Sequence, residues 1–305
     1  MDLSIIISTW NNSARLARTL ESISACVVPS YLRWELIVVN NNCTDDTGAV
    51  VAGFASKLPI RYEVEPQAGT SRGKNAALRV ATGNLTVLTD DDVTPEQNWV
   101  ASYWSAFQER PRGFFFGGPV DSEFETLDFD QELLANAPGS VRGLSWGSVP
   151  RLVIENPPFL GANWACPTEI LRELGGFDPG LGLNASSPRV SVGEESQMML
   201  RLRARGWQAW YLPATRVKHF VPRSKCNLAH LGERAEAAGF YFAIAGRQTI
   251  RRSGIFGTPP ILYLGALRRL LKWGWVRGRG GKAYGEYLQW RRQIGVIRGA
   301  RELLQ

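Results

Sequence analysis

The 305-residue chain is poor in cysteine and histidine and has no long apolar run. Its four cysteines, Cys26, Cys43, Cys166 and Cys226, stand far apart with no CxxC pair, which argues against a zinc site or a disulfide framework. Histidine occurs only twice, at His219 and His230. No stretch reaches the roughly 18 uninterrupted apolar residues that a membrane span needs. The nearest, Ile255 to Leu271, is broken by Pro259-Pro260 and by Arg268-Arg269. A signal peptide is not recognisable, so a cytoplasmic location is expected, at the inner membrane face if the basic tail meets lipid. Internal repeats and low-complexity tracts are absent. With 44% hydrophobic and 21% charged residues, the composition excludes the disordered class and suits a packed globular protein.

Charge is unevenly spread. The formal total is +7, yet residues 251–305 hold 12 Lys/Arg against 2 Asp/Glu, so the remainder is slightly acidic. A basic tail of this kind suits a membrane surface, a phosphate-bearing acceptor or nucleic acid, or is simply a solvated helical face. Nucleic acid is disfavoured, because no recognised motif or interleaved stacking pattern accompanies the charge.

Strand and helix patterns alternate through the first ~90 residues, which predicts an α/β fold with a mostly parallel sheet flanked by helices. Strands are expected over Leu3–Thr9, Trp34–Val39, Ile60–Val64 and Leu85–Thr89. Asn11-Asn12-Ser13 is expected to cap a helix with Leu16, Leu20 and Ile23 on its apolar face. A Gly-rich turn over Gln67–Gly73 leads into the next helix. Further on, a strand over Phe159–Pro167 and a helix over Glu194–Arg205 are expected. Residues 121–158 and 175–191 read as loops. Beyond Lys225 the pattern is helical, with breaks at Gly254–Pro260 and Gly274–Gly281. The expected division is a catalytic domain over 1–222, with halves 1–110 and 111–222, and a helical basic extension over 223–305.

Ligands in such sheets sit beyond the carboxyl ends of the strands. The polar clusters Thr9–Asn11, Asn40–Asn42 and Asp90–Asp92 each follow a strand and should converge there. Three adjacent acids repel one another, and a divalent cation relieves that repulsion; hard oxygen ligands suit Mg²⁺ or Mn²⁺. A solvated acidic turn at a helix start would show the same letters. Arg72 and Lys74, in Gly69–Asn75, stand at a helix start where backbone amides and cations suit phosphate. Glu194-Glu195 at another helix start offers a general base toward a hydroxyl, or only favourable capping charge. His219 ends an extended segment and either completes a metal shell or is structural.

The ordered segments IIISTWNN, VVNNNCTDDT, GTSRGKNAAL, LTDDDV, FLGANWACPTEILRELGGFDPGLG and GEESQMMLRLRARGWQAWYLPATRVKHFVP resemble the inverting glycosyltransferases of family two, with the GT-A fold. The resemblance covers roughly residues 3–222. It implies transfer of a sugar from a nucleoside-diphosphate sugar, a UDP-sugar being favoured, to a saccharide or lipid-linked acceptor hydroxyl. It places Thr9, Asn11, Asn40, Arg72, Lys74, Asp90 and Asp91 at the donor. Asp92, with Asp90 and His219, would bind Mn²⁺ or Mg²⁺. Glu195, beside Glu194, would be the catalytic base, and Asn163 and Trp164 would form the acceptor side. Three departures stand out: Asn40 where Asp is common, Glu194-Glu195 in place of Glu-Asp, and Ser8 in place of Pro. The first two keep a second reading open, a non-catalytic nucleotide-sugar-binding or scaffold protein on the same fold. Residues 260–276 mix Leu, Ile and Trp with Arg268, Arg269 and Lys272, as an amphipathic helix at a bilayer does; a helix packed on the domain with its cations outward would look alike.

Overall fold

A computed structural model describes residues 1–184, 186, 190–245 and 259–302. In chain order the elements are β1 (Leu3–Thr9), α1 (Ser13–Ser24), β2 (Trp34–Asn41), α2 (Thr47–Gly53), β3 (Ile60–Glu65), α3 (Thr70–Val80), β4 (Leu85–Thr89), β5 (Val93–Pro95), α4 (Trp99–Glu109), β6 (Phe114–Gly117) and β7 (Val120–Phe124). They continue with α5 (Gln131–Ala135), α6 (Gly139–Arg142), β8 (Arg151–Val153), β9 (Asn163–Pro167), α7 (Thr168–Glu173), α8 (Glu194–Ala204), β10 (Gln208–Tyr211), β11 (Val217–Val221), α9 (Leu228–Ala245), α10 (Pro260–Gly278) and α11 (Tyr284–Glu302).

The chain divides into two compact units. The first comprises residues 1–123, 143–186 and 194–220. Its main sheet has eight strands in the order β3-β2-β1-β4-β9-β6-β10-β8, and a small sheet has the order β5-β11-β7. β1, β2, β3 and β4 pair in parallel, while β9 runs against both β4 and β6 and β8 runs against β10. The sheet is therefore mixed but mostly parallel, as expected.

Side-chain alternation explains why helices cover both faces. Ile5 and Ile7 of β1 join Leu36, Val38, Leu85 and Val87 in a core packed by Leu16, Leu20 and Ile23 of α1 and by Trp99 and Tyr103 of α4. Ile6, Ile37 and Val39 point the other way, onto Ala76 and Ala77 of α3. A third cluster surrounds Trp164 and Phe115, with Phe177 and with Met198 and Leu202 of α8.

The second unit comprises residues 124–142, 187–193 and 221–305. α9 and α11 approach backbone to backbone, because Gly239, Gly295 and Gly299 leave no room for a side chain. A Cβ on Gly239 would lie 1.9 Å from the Arg292 carbonyl oxygen, and one on Gly295 1.9 Å from that of Glu236. Glu236 reinforces the pair through Arg291, at 2.9 Å, and Arg298.

Several local expectations change. The turn before α3 is shorter, since Thr70–Gly73 already belongs to the helix. The strand expected from Phe159 begins only at Asn163. Residues 121–158 carry the end of β7, α5, α6 and β8 rather than loop alone. α10 continues through Gly274 to Gly278. Residues 254–258 of the expected Gly254–Pro260 break, and parts of the 175–191 loop, lie outside the described residues.

Candidate active site

Asp90-Asp91-Asp92 follows β4 directly, and the turn sends Asp91 one way and Asp90 and Asp92 another. β5, just beyond, pairs antiparallel with β11, with Val93 opposite His219. The Phe220 amide donates to the Asp92 carbonyl at 2.9 Å. This zipper carries His219 across 127 residues of sequence to Asp92, leaving its Nε2 3.3 Å from Asp92 Oδ1. One ligand atom each from Asp90, Asp92 and His219 lie within 4.8 Å of one another.

The donor set fits a divalent cation. Two carboxylates on a half-buried turn meet an imidazole, and burial first, with Asp92 and Glu195 adding to it, raises the Asp90 carboxyl above the ordinary range. A cation is what relieves such a cluster. The carboxylate majority suits Mn²⁺ or Mg²⁺, and the imidazole is tolerated.

Asp91 is different. It accepts from the Thr9 hydroxyl at 2.5 Å and from Asn12 Nδ2 at 2.7 Å, and its carbonyl accepts from Thr19 at 3.0 Å. Burial and the neighbouring Asp92 push it up to about 7. Thr9 is 1% exposed. Thr9 and Asp91, expected at the donor, thus engage each other and tie β1 to β4. Asn12 does not cap α1 with its side chain; Ser13 N–H is instead received by Asp45 Oδ2 at 2.8 Å.

Lys74 on α3 meets the first turn of α8. Its ammonium donates to Glu195 Oε1 and lies 3.3 Å from Glu194 Oε1. Burial opposes the charge, but Glu195, Glu194 and Asp90 outweigh it and hold Lys74 well above the usual lysine range. Burial also pushes Glu194 up to about 7, with the Glu195 charge adding to it. Burial works the same way on Glu195, yet the Lys74 charge prevails and its carboxyl is lowered. Glycines make room for the pair: a Cβ on Gly161 would lie 2.3 Å from Glu195 Oε1, and Gly182, at φ +89°, faces Glu194.

The start of α3, where phosphate was expected, is engaged by protein groups. Thr70 N–H donates to the Leu183 carbonyl at 2.8 Å, and the Ser71 hydroxyl to that of Leu181 at 2.7 Å. Arg72 donates to Gln67 at 2.6 Å. Lys74, expected on the base or diphosphate, is spent on the two glutamates. Residues 177–183 fold back over α3 and supply the Leu181 and Leu183 carbonyls. Asn75 clamps that segment by two 2.7 Å hydrogen bonds to the Phe177 backbone.

Asn11 and Asn40 shape loops. Asn11, at φ 48°, accepts from Thr44 N–H at 2.7 Å. Asn40 accepts from Cys43 N–H at 2.7 Å and donates to the Tyr62 hydroxyl at 2.8 Å. Asn163 and Trp164 do not present themselves to an acceptor: both are fully buried. Asn163 accepts from Trp99 Nε1 and the Tyr103 hydroxyl and donates to the Pro119 and Thr215 carbonyls. Trp164 packs edge-on against Phe177. Sequence reading passed over Asn41, which links the end of β2 to Gln67 and Gly69 at 2.8 Å each. Its signal was parity: it shares the inward face with Val39 and Ile37.

Asp90 unites the two clusters, since its charge is felt by Lys74 and Glu195 on one side and by Asp92 and His219 on the other. Residues 4–151 match the model of the glycosyl transferase family 2. That stretch is similar to this family, and the chain has the GT-A fold. Among its relatives, the hyaluronan synthase of Pasteurella multocida is 34% identical over 105 residues, 33% of this chain and 10% of that protein. The succinoglycan biosynthesis protein ExoM of Rhizobium meliloti is 24% identical over 234 residues, 73% of this chain and 69% of that one. In fold, the chain resembles the mannosyltransferase PcManGT of Pyrobaculum calidifontis, solved in complex with GDP-Man and Mn²⁺. That likeness has a TM-score of 0.58 at 20% identity and covers 97% of this chain and 86% of that one. GalNAc-T7, solved with UDP, GalNAc and Mn²⁺, gives a TM-score of 0.56 at 14% identity, over 83% and 53%.

Proposed function

We propose that the protein is an inverting hexosyltransferase. It would move a sugar from a nucleoside-diphosphate sugar, a UDP-sugar being favoured, to a hydroxyl of a saccharide or lipid-linked acceptor in cell-surface polysaccharide or glycolipid synthesis. The observation that carries this reading is the meeting of a cation-ready set, Asp90, Asp92 and His219, with a carboxylate pair, buried Glu194 and half-buried Glu195, beyond the carboxyl end of β4. Structural neighbours solved with GDP-Man or UDP and with Mn²⁺ support it.

Asp90, Asp92 and His219 would hold Mn²⁺ or Mg²⁺, which offsets the charge of the departing diphosphate. The acceptor oxygen forms a bond to the anomeric carbon from the face opposite the breaking bond to the diphosphate oxygen. Glu195 takes the acceptor proton. General-base help of this kind is worth about 10²–10⁴ in rate. Lys74 keeps Glu195 ionised and therefore ready to accept, at some loss of basicity. Glu194, with its higher affinity for a proton, flanks the same ammonium.

The test is thermal stability and donor hydrolysis with UDP- and GDP-sugars, with EDTA or with Mn²⁺. A ligand that binds only the folded state raises the apparent stability. One nucleotide sugar should stabilise the protein when Mn²⁺ is present and not in EDTA, and Asp92→Ala should lose that response. Stabilisation that is indifferent to metal and to Asp92 would overturn the proposed site.

A further inference from the structure

α10 leaves an apolar stripe open. Ile261, Leu264, Leu267, Leu271 and Trp275 are 69, 56, 51, 63 and 60% exposed. At about 100° per residue, Leu264, Leu267, Leu271 and Trp275 fall within an arc of about 80°, with Ile261 at its border. Arg268, Lys272 and Arg279 line that border, and the Arg279 guanidinium lies 3.7 Å from the Trp275 ring centre. The opposite side of α10 is the packed one: Ala266 is buried there, and Trp273 stacks on Trp290 and Tyr287 of α11.

Helix α10 contains no Asp or Glu. Glu286 of α11 engages Lys272 at 2.5 Å and Arg269 at 3.6 Å. Arg268, Arg277 and Arg279 have no carboxylate partner among the described residues. A soluble helix normally turns large apolar side chains inward, so five of them in a row in water mark a contact surface. Leucines in the middle, a tryptophan at one end and arginines along the edge are the arrangement that lets chains enter lipid while guanidinium groups reach headgroup phosphates. A second copy of the same face is a poor occupant, since packing two such stripes together would crowd like charges. Among the described residues no helix is long and apolar enough to cross a membrane.

We infer that this face of α10 lies on an anionic phospholipid bilayer, with Leu264, Leu267, Leu271 and Trp275 in the acyl boundary and Arg268, Lys272 and Arg279 at the phosphates. The segment read from sequence as either membrane-bound or packed does both, through opposite faces. Vesicle binding is read without catalysis, so its outcome is separate from that of the transferase reading.

The full chain is sedimented with phosphatidylcholine vesicles and with vesicles holding roughly 30% phosphatidylglycerol, beside Leu264→Asn/Leu271→Asn and Arg268→Gln/Arg279→Gln. The leucine substitutions keep the net charge, so their effect reports the apolar face and not the overall basicity. The wild type should bind the anionic vesicles and release as salt rises. The leucine variant should bind at least about ten-fold more weakly with its circular dichroism unchanged, and the arginine variant should lose the preference for phosphatidylglycerol. Wild type left in the supernatant, a leucine variant that binds as well as wild type, or a solution dimer that the leucine variant dissociates would each overturn the inference.

Discussion

Lys74 Nζ rests against Glu195 Oε1 and 3.3 Å from Glu194 Oε1, with its side chain 3% exposed. One buried cation thus serves a buried carboxylate, Glu194, and a half-buried one, Glu195, which reach it from more than a hundred residues away. Removing one partner of such a group leaves charge without compensation in a poorly hydrated place, which costs roughly 3–5 kcal/mol. Lys74→Met should lower stability in urea at pH 7 by that order. The folded protein holds Lys74 above its unfolded titration range, so its contribution is full at neutral pH and fades only as pH rises through that higher value. The same substitution should move the acidic limb of kcat/KM to higher pH, because Lys74 is what lowers Glu195.

Glu195→Gln keeps the shape beside Gly161 and removes the proton acceptor. Its kcat should fall by about 10²–10⁴ while donor affinity, measured by titration calorimetry, stays within about two-fold. Near-normal turnover would dismiss Glu195 as the base.

Glu194 should be visible in the pH dependence of stability. Its folded value of about 7 stands above the ordinary glutamate value of 4.5, chiefly through burial and the Glu195 charge. A carboxyl raised in this way contributes stability below the unfolded value, and that contribution is lost as pH rises to the folded one. Between pH 4.5 and 7 the wild type should therefore lose stability relative to Glu194→Gln, with a slope no steeper than one proton. Parallel curves in urea melts would contradict the assignment.

Asn163→Ala should behave as a core mutation. It leaves Trp99 Nε1, the Tyr103 hydroxyl and two carbonyls without their partner in a site closed to water. Each orphaned buried group costs about 1–3 kcal/mol. The expected result is a large loss of stability, seen as a fall in Tm. A raised KM for the acceptor with an unchanged Tm would restore Asn163 to the acceptor side.

Much of this site was legible along the chain and some was not, for identifiable reasons. The triplet Asp90–Asp92 stood out because a strand ends on it, and the resemblance implied Asp92, with Asp90, as the metal side. Asp91 was expected at the donor, and only the turn after β4 decides that it faces Thr9 and Asn12. Lys74 looked like a phosphate ligand because a basic helix start has that meaning when nothing covers it. The covering segment, residues 177–183, lies more than a hundred residues downstream. Asn163 and Trp164 were expected on the acceptor side from their place in a matched segment, and the pairing of β9 between β4 and β6 puts them in the core.

The sequence by itself determined the alternating strands and helices, the acids at the end of β4 and the basic C-terminal stretch, because periodicity and strand-end chemistry are local properties. Only the tertiary structure decided which of those residues meet. Register between β5 and β11 brings His219 to Asp92, α8 delivers two glutamates to Lys74, and α11 takes one side of α10 and leaves the other bare. Such contacts depend on the packing of elements far apart in sequence, which no local pattern encodes.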